Sequence, residues 1–187
     1  MKAQALIHGK TARELGRAHR DANKISRLAW DKDVSDIELL ETIREDETTG
    51  NVLTVQRAVL SPPPGLNLVV SKRDLVFLQF STRGKSRANP QDEECLLIAR
   101  HTEHPARPIG YEKCVRAQSM SVIRLVPMAP KKKEDDLFEP VTEVTIAGWL
   151  QLGGAIPDEV VGLYQTALAD RIDFLRGLPH FQGKVDK

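Results

Sequence analysis

The stretch "LGGAIPDEVVGLYQTALADRIDFLRGL", residues 152–178, decides how this chain is read. Gly153 and Gly154 give a flexible exit from the segment before them. Pro157 suits a first helical turn, and Asp158 and Glu159 favour the positive end of a helix dipole. At about 100° per residue, Val160, Val161, Leu163, Tyr164, Ala167, Leu168, Ile172, Phe174, Leu175 and Leu178 spread over half of the cylinder. Gly162, Thr166, Asp170 and Asp173 stand opposite. The spacing predicts a long amphipathic helix that buries a broad face against something large. Arg171 falls inside that face, between the directions of Leu175 and Tyr164. It either snorkels to the edge or meets a carboxylate or a ligand head group inside a cavity.

Upstream, the pattern is mostly strand. "TARELGRAHRDANKI" places Leu15, Ala18, Ala22 and Ile25 on one helical face, and Thr11 with Glu14 fits a capping box, so a helix begins over residues 11–29. Ile37, Leu39 and Ile43 then alternate with polar residues, as do Leu53, Val55 and Val59, and "DETTGN" between them reads as the turn of a hairpin. Three prolines in "SPPPGLNLVVSK" rule out a central strand there. "RDLVFLQFS", "EECLLIAR", "EKCVRAQSMSVIRLV" and "VTEVTIAGWLQL" are four further strand-like runs. The order is helix, six strands, helix. Short connections without helical crossovers predict an α+β fold in which an antiparallel sheet carries its helices on one side.

The length of 187 residues is that of one domain with room for a real core, and 41% hydrophobic with 28% charged residues excludes a disordered chain. A net charge of +1 provides no field to hold nucleic acid or an anionic membrane by charge alone, so no nucleic-acid partner is expected. No apolar run reaches membrane-spanning length, and "MKAQALIHGK" lacks the features of a secretory signal. Cys95 and Cys114 carry no metal or redox spacing and read as free thiols of a reducing, cytoplasmic compartment. Lys131, Lys132 and Lys133 are cancelled by Glu134, Asp135 and Asp136, which makes "PMAPKKKEDDLFEP" a solvated hairpin insertion.

Catalytic patterns are sparse. There is no nucleophile elbow, P-loop or dinucleotide-binding glycine motif, and no acid–base pair to nominate, so the chain is read as a non-enzyme without a cofactor. His101 and His104 lack a third metal ligand nearby. Asp31, Asp33 and Asp36 lack the glycine and terminal glutamate of a calcium loop and read as solvated acids.

Four segments in order resemble the START family, the lipid-transfer domains related to steroidogenic acute regulatory protein. "SRLAWDKDVSDIELLETI" resembles the family's arginine-containing turn, Trp-Asp pair and strand. "SPPPGLNLVVSKRDLVFLQ" is similar to its proline-bearing omega loop and Arg-Asp strand. "RHTEHPARPIGYEKCVRAQSMSVIRLV" resembles the stretch with His-Pro, Gly-Tyr and Val-Arg-Ala, and "LGGAIPDEVVGLY" resembles the junction that opens the last helix. The resemblance implies a helix-grip fold: a curved antiparallel sheet wrapped around a long C-terminal helix, with a tunnel for one lipid between them.

By that resemblance residues 156–178 are a lid that closes against the loop carrying Leu66 and Leu68. The implied ligand contacts are those two residues, Gln79 and Arg116 from the sheet region, and Val161, Tyr164, Leu168, Arg171, Ile172 and Leu175 from the lid. Gln79 stands where some sterol-binding members carry an arginine, and Ala155 where the family commonly has tryptophan. The partner is a phospholipid, sphingolipid or sterol, exchanged during transient membrane contact. Only "AQALIH" answers to the family's early elements, so a single domain over residues 1–187 is expected, either with a truncated start or as a reduced version that lacks the first helix and first strands and leaves a sheet edge open. Two other functions stay open. One is an interaction module whose core is filled by Phe77, Phe80, Met120 and Trp149; the other is a thioesterase- or cyclase-like helix-grip enzyme.

Overall fold

A computed structural model describes residues 2–46, 48–62, 70–86, 92–132, 138–156, 161, 173, 175, 176 and 178. Its elements run β1 (Lys2–His8), α1 (Ala12–Arg20), α2 (Lys24–Trp30), β2 (Val34–Asp46), β3 (Asn51–Leu60), β4 (Arg73–Lys85), β5 (Glu93–His101), β6 (Val115–Arg116), β7 (Gln118–Lys132) and β8 (Phe138–Gln151). They form one curved sheet in the order β1-β8-β7-β5-β4-β3-β2, antiparallel throughout, while the two-residue β6 lies parallel beside the start of β4. The six expected strands are β2, β3, β4, β5, β7 and β8, and "AQALIH" lies in β1.

Two local expectations need correction. The single helix over 11–29 is two. Thr11 and Glu14 form the capping box of α1, but Asn23 caps a new helix by accepting from the backbone N–H groups of Ile25 and Ser26 at 3.0 and 3.2 Å. The break rotates Ile25 away from Leu15 and leaves it 85% exposed. In β2, Ile37 is buried but Leu39 and Ile43 are each 49% exposed, because register shifts between Leu39 and Glu41 and between Thr42 and Arg44 interrupt the alternation.

Strand alternation sorts the sheet into an inner face, toward α1 and α2, and an outer face. Leu75, Phe77, Gln79, Ser81 and Arg83 of β4 point inward, and Asp74, Val76, Leu78 and Phe80 point outward. Two apolar clusters hold the inner side. One joins Leu15 and Ala18 of α1 and Trp30 of α2 to Leu97, Ile123, Leu125, Val144 and Ile146 of the sheet, and takes in Leu175 and Leu178. The other joins Val34, Ile37, Ala58, Leu60, Val70 and Leu152, with Leu75, Phe77, Ile156 and Val161 packed against it.

β8 ends in Gly153 and Gly154, both in the left-handed region at φ +66° and +67°. A Cβ on Gly153 would also lie 2.6 Å from the Arg116 carbonyl oxygen, so this exit requires glycine twice over. Of the helix expected beyond it, Val161, Asp173, Leu175 and Arg176 are described, and each is helical.

Gly16 brings α1 onto β5, where a Cβ would meet Cys95 at 3.2 Å. Burial, opposed by nearby arginines, pushes the Cys95 thiol up to about 11. The unfolded thiol ionises near 8.5–9 and the folded one does not until about 11, so the buried thiol's contribution is intact below pH ~8.5 and is lost as pH rises through that window. A Cys95→Ala variant is therefore expected to lose less stability than the parent between about pH 9 and 11, by ~2 kcal/mol in denaturant melts.

Candidate functional site

Between the two clusters lies a cavity of about 70 Å³. Its sheet wall is built from inward positions of four strands: Ala58 and Leu60, then Leu75, Phe77 and Gln79, then Leu97 and Ala99, then Ser119, Ser121 and Ile123. His19 and Arg27 close it from the helical side, beside Val34 at the start of β2. The wall is mostly apolar because each strand presents every second residue to it, and a few polar groups interrupt it.

Those polar groups are held in place. Arg27 directs Nε and Nη2 to Asp31 Oδ2, both at 2.9 Å, across one turn from α2 to its C-cap. Its Nη1 donates to the His19 carbonyl oxygen at 2.9 Å. The guanidinium lies over the Trp30 ring, 4.6 Å from its centroid, and the His19 ring meets Trp30 edge-on at 5.1 Å. Asp31 is fully buried and the Arg27 side chain is 8% exposed, so the pair is net neutral and shielded from salt. Gln79 Nε2 also donates to the His19 carbonyl oxygen, at 3.4 Å, and Gln56 Nε2 to that of Arg20 at 3.3 Å. Sheet amides thus satisfy the carbonyls that α1 leaves open at its C-terminus. One Gln79 N–H and its Oε1 remain to face the cavity.

This set can hydrogen-bond a polar end group and enclose an apolar one. Among the described residues no group of three or more His, Cys, Asp or Glu could hold a metal ion, and His104 instead lies 3.4 Å from Glu41.

The START domain family model matches residues 3–166. The chain belongs to the START family. Among solved structures, the human StarD13 (DLC2) lipid transfer and protein localization domain superposes with a TM-score of 0.66 at 18% identity, covering 96% of this chain and 77% of that one. Human StAR-related lipid transfer protein 5 gives a TM-score of 0.68 at 20% identity, covering 95% and 73%. At these identities the likeness is one of fold. Comparison with curated proteins gives no match. The curved sheet with α1 and α2 on its inner face is the START arrangement.

The residues implied by the resemblance have different fates. Gln79 lines the cavity, 6% exposed. Val161 packs against the cluster at one side of it, and Leu175 is fully buried in the cluster at the other. Arg116 is elsewhere. It binds the outward-facing Asp74, Nε to Oδ1 at 3.0 Å, so it does not line this START cavity. It lies there because β6 pairs in parallel with β4, which sets Arg116 beside Asp74. Leu66, Leu68, Tyr164, Leu168, Arg171 and Ile172 lie outside the described residues. Asp31, read from sequence as a solvated acid, is instead the buried partner of Arg27. His19, Arg27, Ser119 and Ser121 were not legible as cavity residues, although the i,i+4 spacing of Arg27 and Asp31 around Trp30 carried the signal.

Proposed function

We propose that the chain binds one lipid between the inner sheet face and its C-terminal segment, and carries it between membranes. The observation that carries this reading is the convergence of His19, Arg27, Gln79, Ser119 and Ser121 on an otherwise apolar cavity inside a START fold. Membership of the START family and the likeness to two domains named for lipid transfer support lipid binding in general. Exposing an acyl chain to water costs about 0.8 kcal/mol per methylene, so an apolar enclosure is what a carrier must supply. Pockets for drug-sized ligands span about 300–1,000 Å³, so a cavity of about 70 Å³ must widen, and parting of the C-terminal segment from the sheet at a membrane surface would do so. Because Arg27 and Asp31 neutralise each other, the polar wall offers hydrogen bonds and not net charge. A phospholipid, sphingolipid or sterol each fits that chemistry. The transfer itself needs no bond making and no cofactor.

A second reading, an interaction module with a filled core, draws on the small volume. Against it, Met120 and Trp149 are 39% and 45% exposed and Phe80 points outward, so three of its four plugging residues are not inside. The test is incubation of the purified chain with mixed liposomes, followed by re-isolation, organic extraction and lipid mass spectrometry. About one lipid per chain is expected, and a Gln79→Leu variant should shift the profile of head groups retained. Lipid no higher than on a control protein would refute the carrier reading.

A further inference from the structure

The geometry points to a second binding site, for a phosphate-type oxyanion, between α1 and the inner faces of β4 and β5. A cavity of about 220 Å³ lies there, lined by Arg13, Gly16, Arg17 and Arg20 from α1 and by Ser81, Thr82 and Arg83 from β4, with Cys95 and Leu97 below. Four arginines line it and, among the described residues, no Asp or Glu does. Glu93 approaches Arg83 at 3.6 Å from outside the lining, so positive charge dominates in a chain whose overall charge is only +1.

This concentration works against folding unless something occupies it. Arg13, Arg17 and Arg20 recur at i, i+4 and i+7, and like charges so spaced destabilise a helix. Gly16 in the middle of α1 lowers helix propensity, yet it brings α1 close to β5 and keeps space open at the cavity. The donors also await an acceptor. Ser81 is 7% exposed and its Oγ has no hydrogen-bond partner, and buried Arg83 Nε has none either. Buried donors are normally satisfied, so the Ser81 hydroxyl in the cavity lining is left one acceptor short, whereas Arg83 Nε is packed against Gly50. Arg83 is braced by the β2–β3 turn: its guanidinium occupies the space where a Cβ on Gly50 would be, at a residue with φ +67°. Arginine forks match phosphate oxygens in geometry and charge, which favours phosphate over a monovalent halide. Ser81 follows Gln79 on the same strand face, so the site adjoins the proposed lipid cavity without sharing its polar groups.

The shared chemistry is a phosphate group, either free or on a lipid head group. Calorimetric titration of the full chain with inorganic phosphate and pyrophosphate, against chloride at equal ionic strength, tests the first source. Flotation with phosphatidylcholine vesicles, with and without a phosphatidylinositol phosphate, tests the second. Saturable binding in either arm is expected, weakened at least about tenfold in an Arg17→Gln/Arg83→Gln variant. Ser81→Ala, a smaller change, should weaken it in the same direction and serves if the double variant does not fold. Binding in neither arm, or binding that both variants leave unchanged, overturns the site. Because the baseline is plain phosphatidylcholine and free anion, the outcome is independent of whether the neighbouring cavity takes up lipid.

Discussion

An Asp74→Ala variant is expected to lose roughly 3–5 kcal/mol of stability, the cost of breaking a buried ion pair by removing one partner. Asp74 is fully buried and accepts from Arg57 Nε at 3.2 Å and from Arg116 Nε at 3.0 Å. The side chains of those arginines are only 3% and 10% exposed. Arg57 keeps Glu112 at 2.9 Å, and Arg116 Nη2 keeps the Arg107 carbonyl oxygen at 2.9 Å, but neither contact replaces the carboxylate between them. The same aspartate fastens the 102–117 connection to the sheet, since Ala117 N donates to the Asp74 carbonyl oxygen at 2.8 Å and Val115 N to that of Lys72 at 2.9 Å. Domains of this size are stable by about 5–15 kcal/mol, so the loss is a large share of the total. Denaturant midpoints at constant slope would measure it, and Asp74→Asn, which keeps an acceptor, should lose less. Because Asp74 faces away from the cavity proposed to take lipid, lipid uptake per folded molecule should be unchanged in cold buffer. A stability loss below 1 kcal/mol would mean that the network is dispensable.

The second large effect is at Leu175, where an alanine is expected to cost about 2–5 kcal/mol. Leu175 is fully buried in the cluster that includes Leu15, Trp30, Leu125, Val144 and Ile146. Truncating a leucine there leaves a void that the rigid sheet cannot collapse. A residue lining a ligand cavity behaves differently: its truncation enlarges existing space, costs little in the empty protein and lowers ligand affinity. Paired unfolding and lipid-binding measurements separate the two. A large stability loss marks Leu175 as the anchor of the C-terminal segment, while a small loss with weakened lipid binding returns it to the ligand wall. The parallel truncation Val161→Ala, at a half-buried residue, should cost less.

The sheet was legible because alternation survives wherever a strand has one buried face. Leu75, Phe77 and Gln79, or Val144 and Ile146, announce their face at a period of two. It failed where a bulge intervened, as at Leu39 and Ile43, since a register shift leaves no mark in composition. The split between α1 and α2 was readable from Asn23, but the continuing apolar period through Ala22 and Ile25 masked it. The site was harder. Gln79 was named only because it stands where some members of the family it resembles carry an arginine, and the structure puts it on the cavity wall. Arg27 was missed because its partner Asp31 belongs to a run of acids that reads as solvated, and only tertiary burial distinguishes Asp31 from Asp36. The pairing of Arg116 with Asp74 was not legible, because two-residue β6 is too short to show periodicity.

The pairing of β1 with β8 sets the order of events during synthesis. Ala5 lies opposite Val144, so the contact closes a loop of about 140 residues. Every other strand pair except β4 with β6 joins sequence neighbours or near neighbours, and those pairs can form as the chain emerges. At roughly 5–20 residues per second, β1 waits on the order of 7–30 s for its partner, holding Ile7, which ends 1% exposed, in water meanwhile. Near the end of that interval the growing sheet also presents β7 without β8, an unpaired edge available to any other nascent strand. Late closure of β1 thus leaves the last pairing of the sheet, and the burial of Ile7, waiting on translation, an interval that faster elongation would shorten.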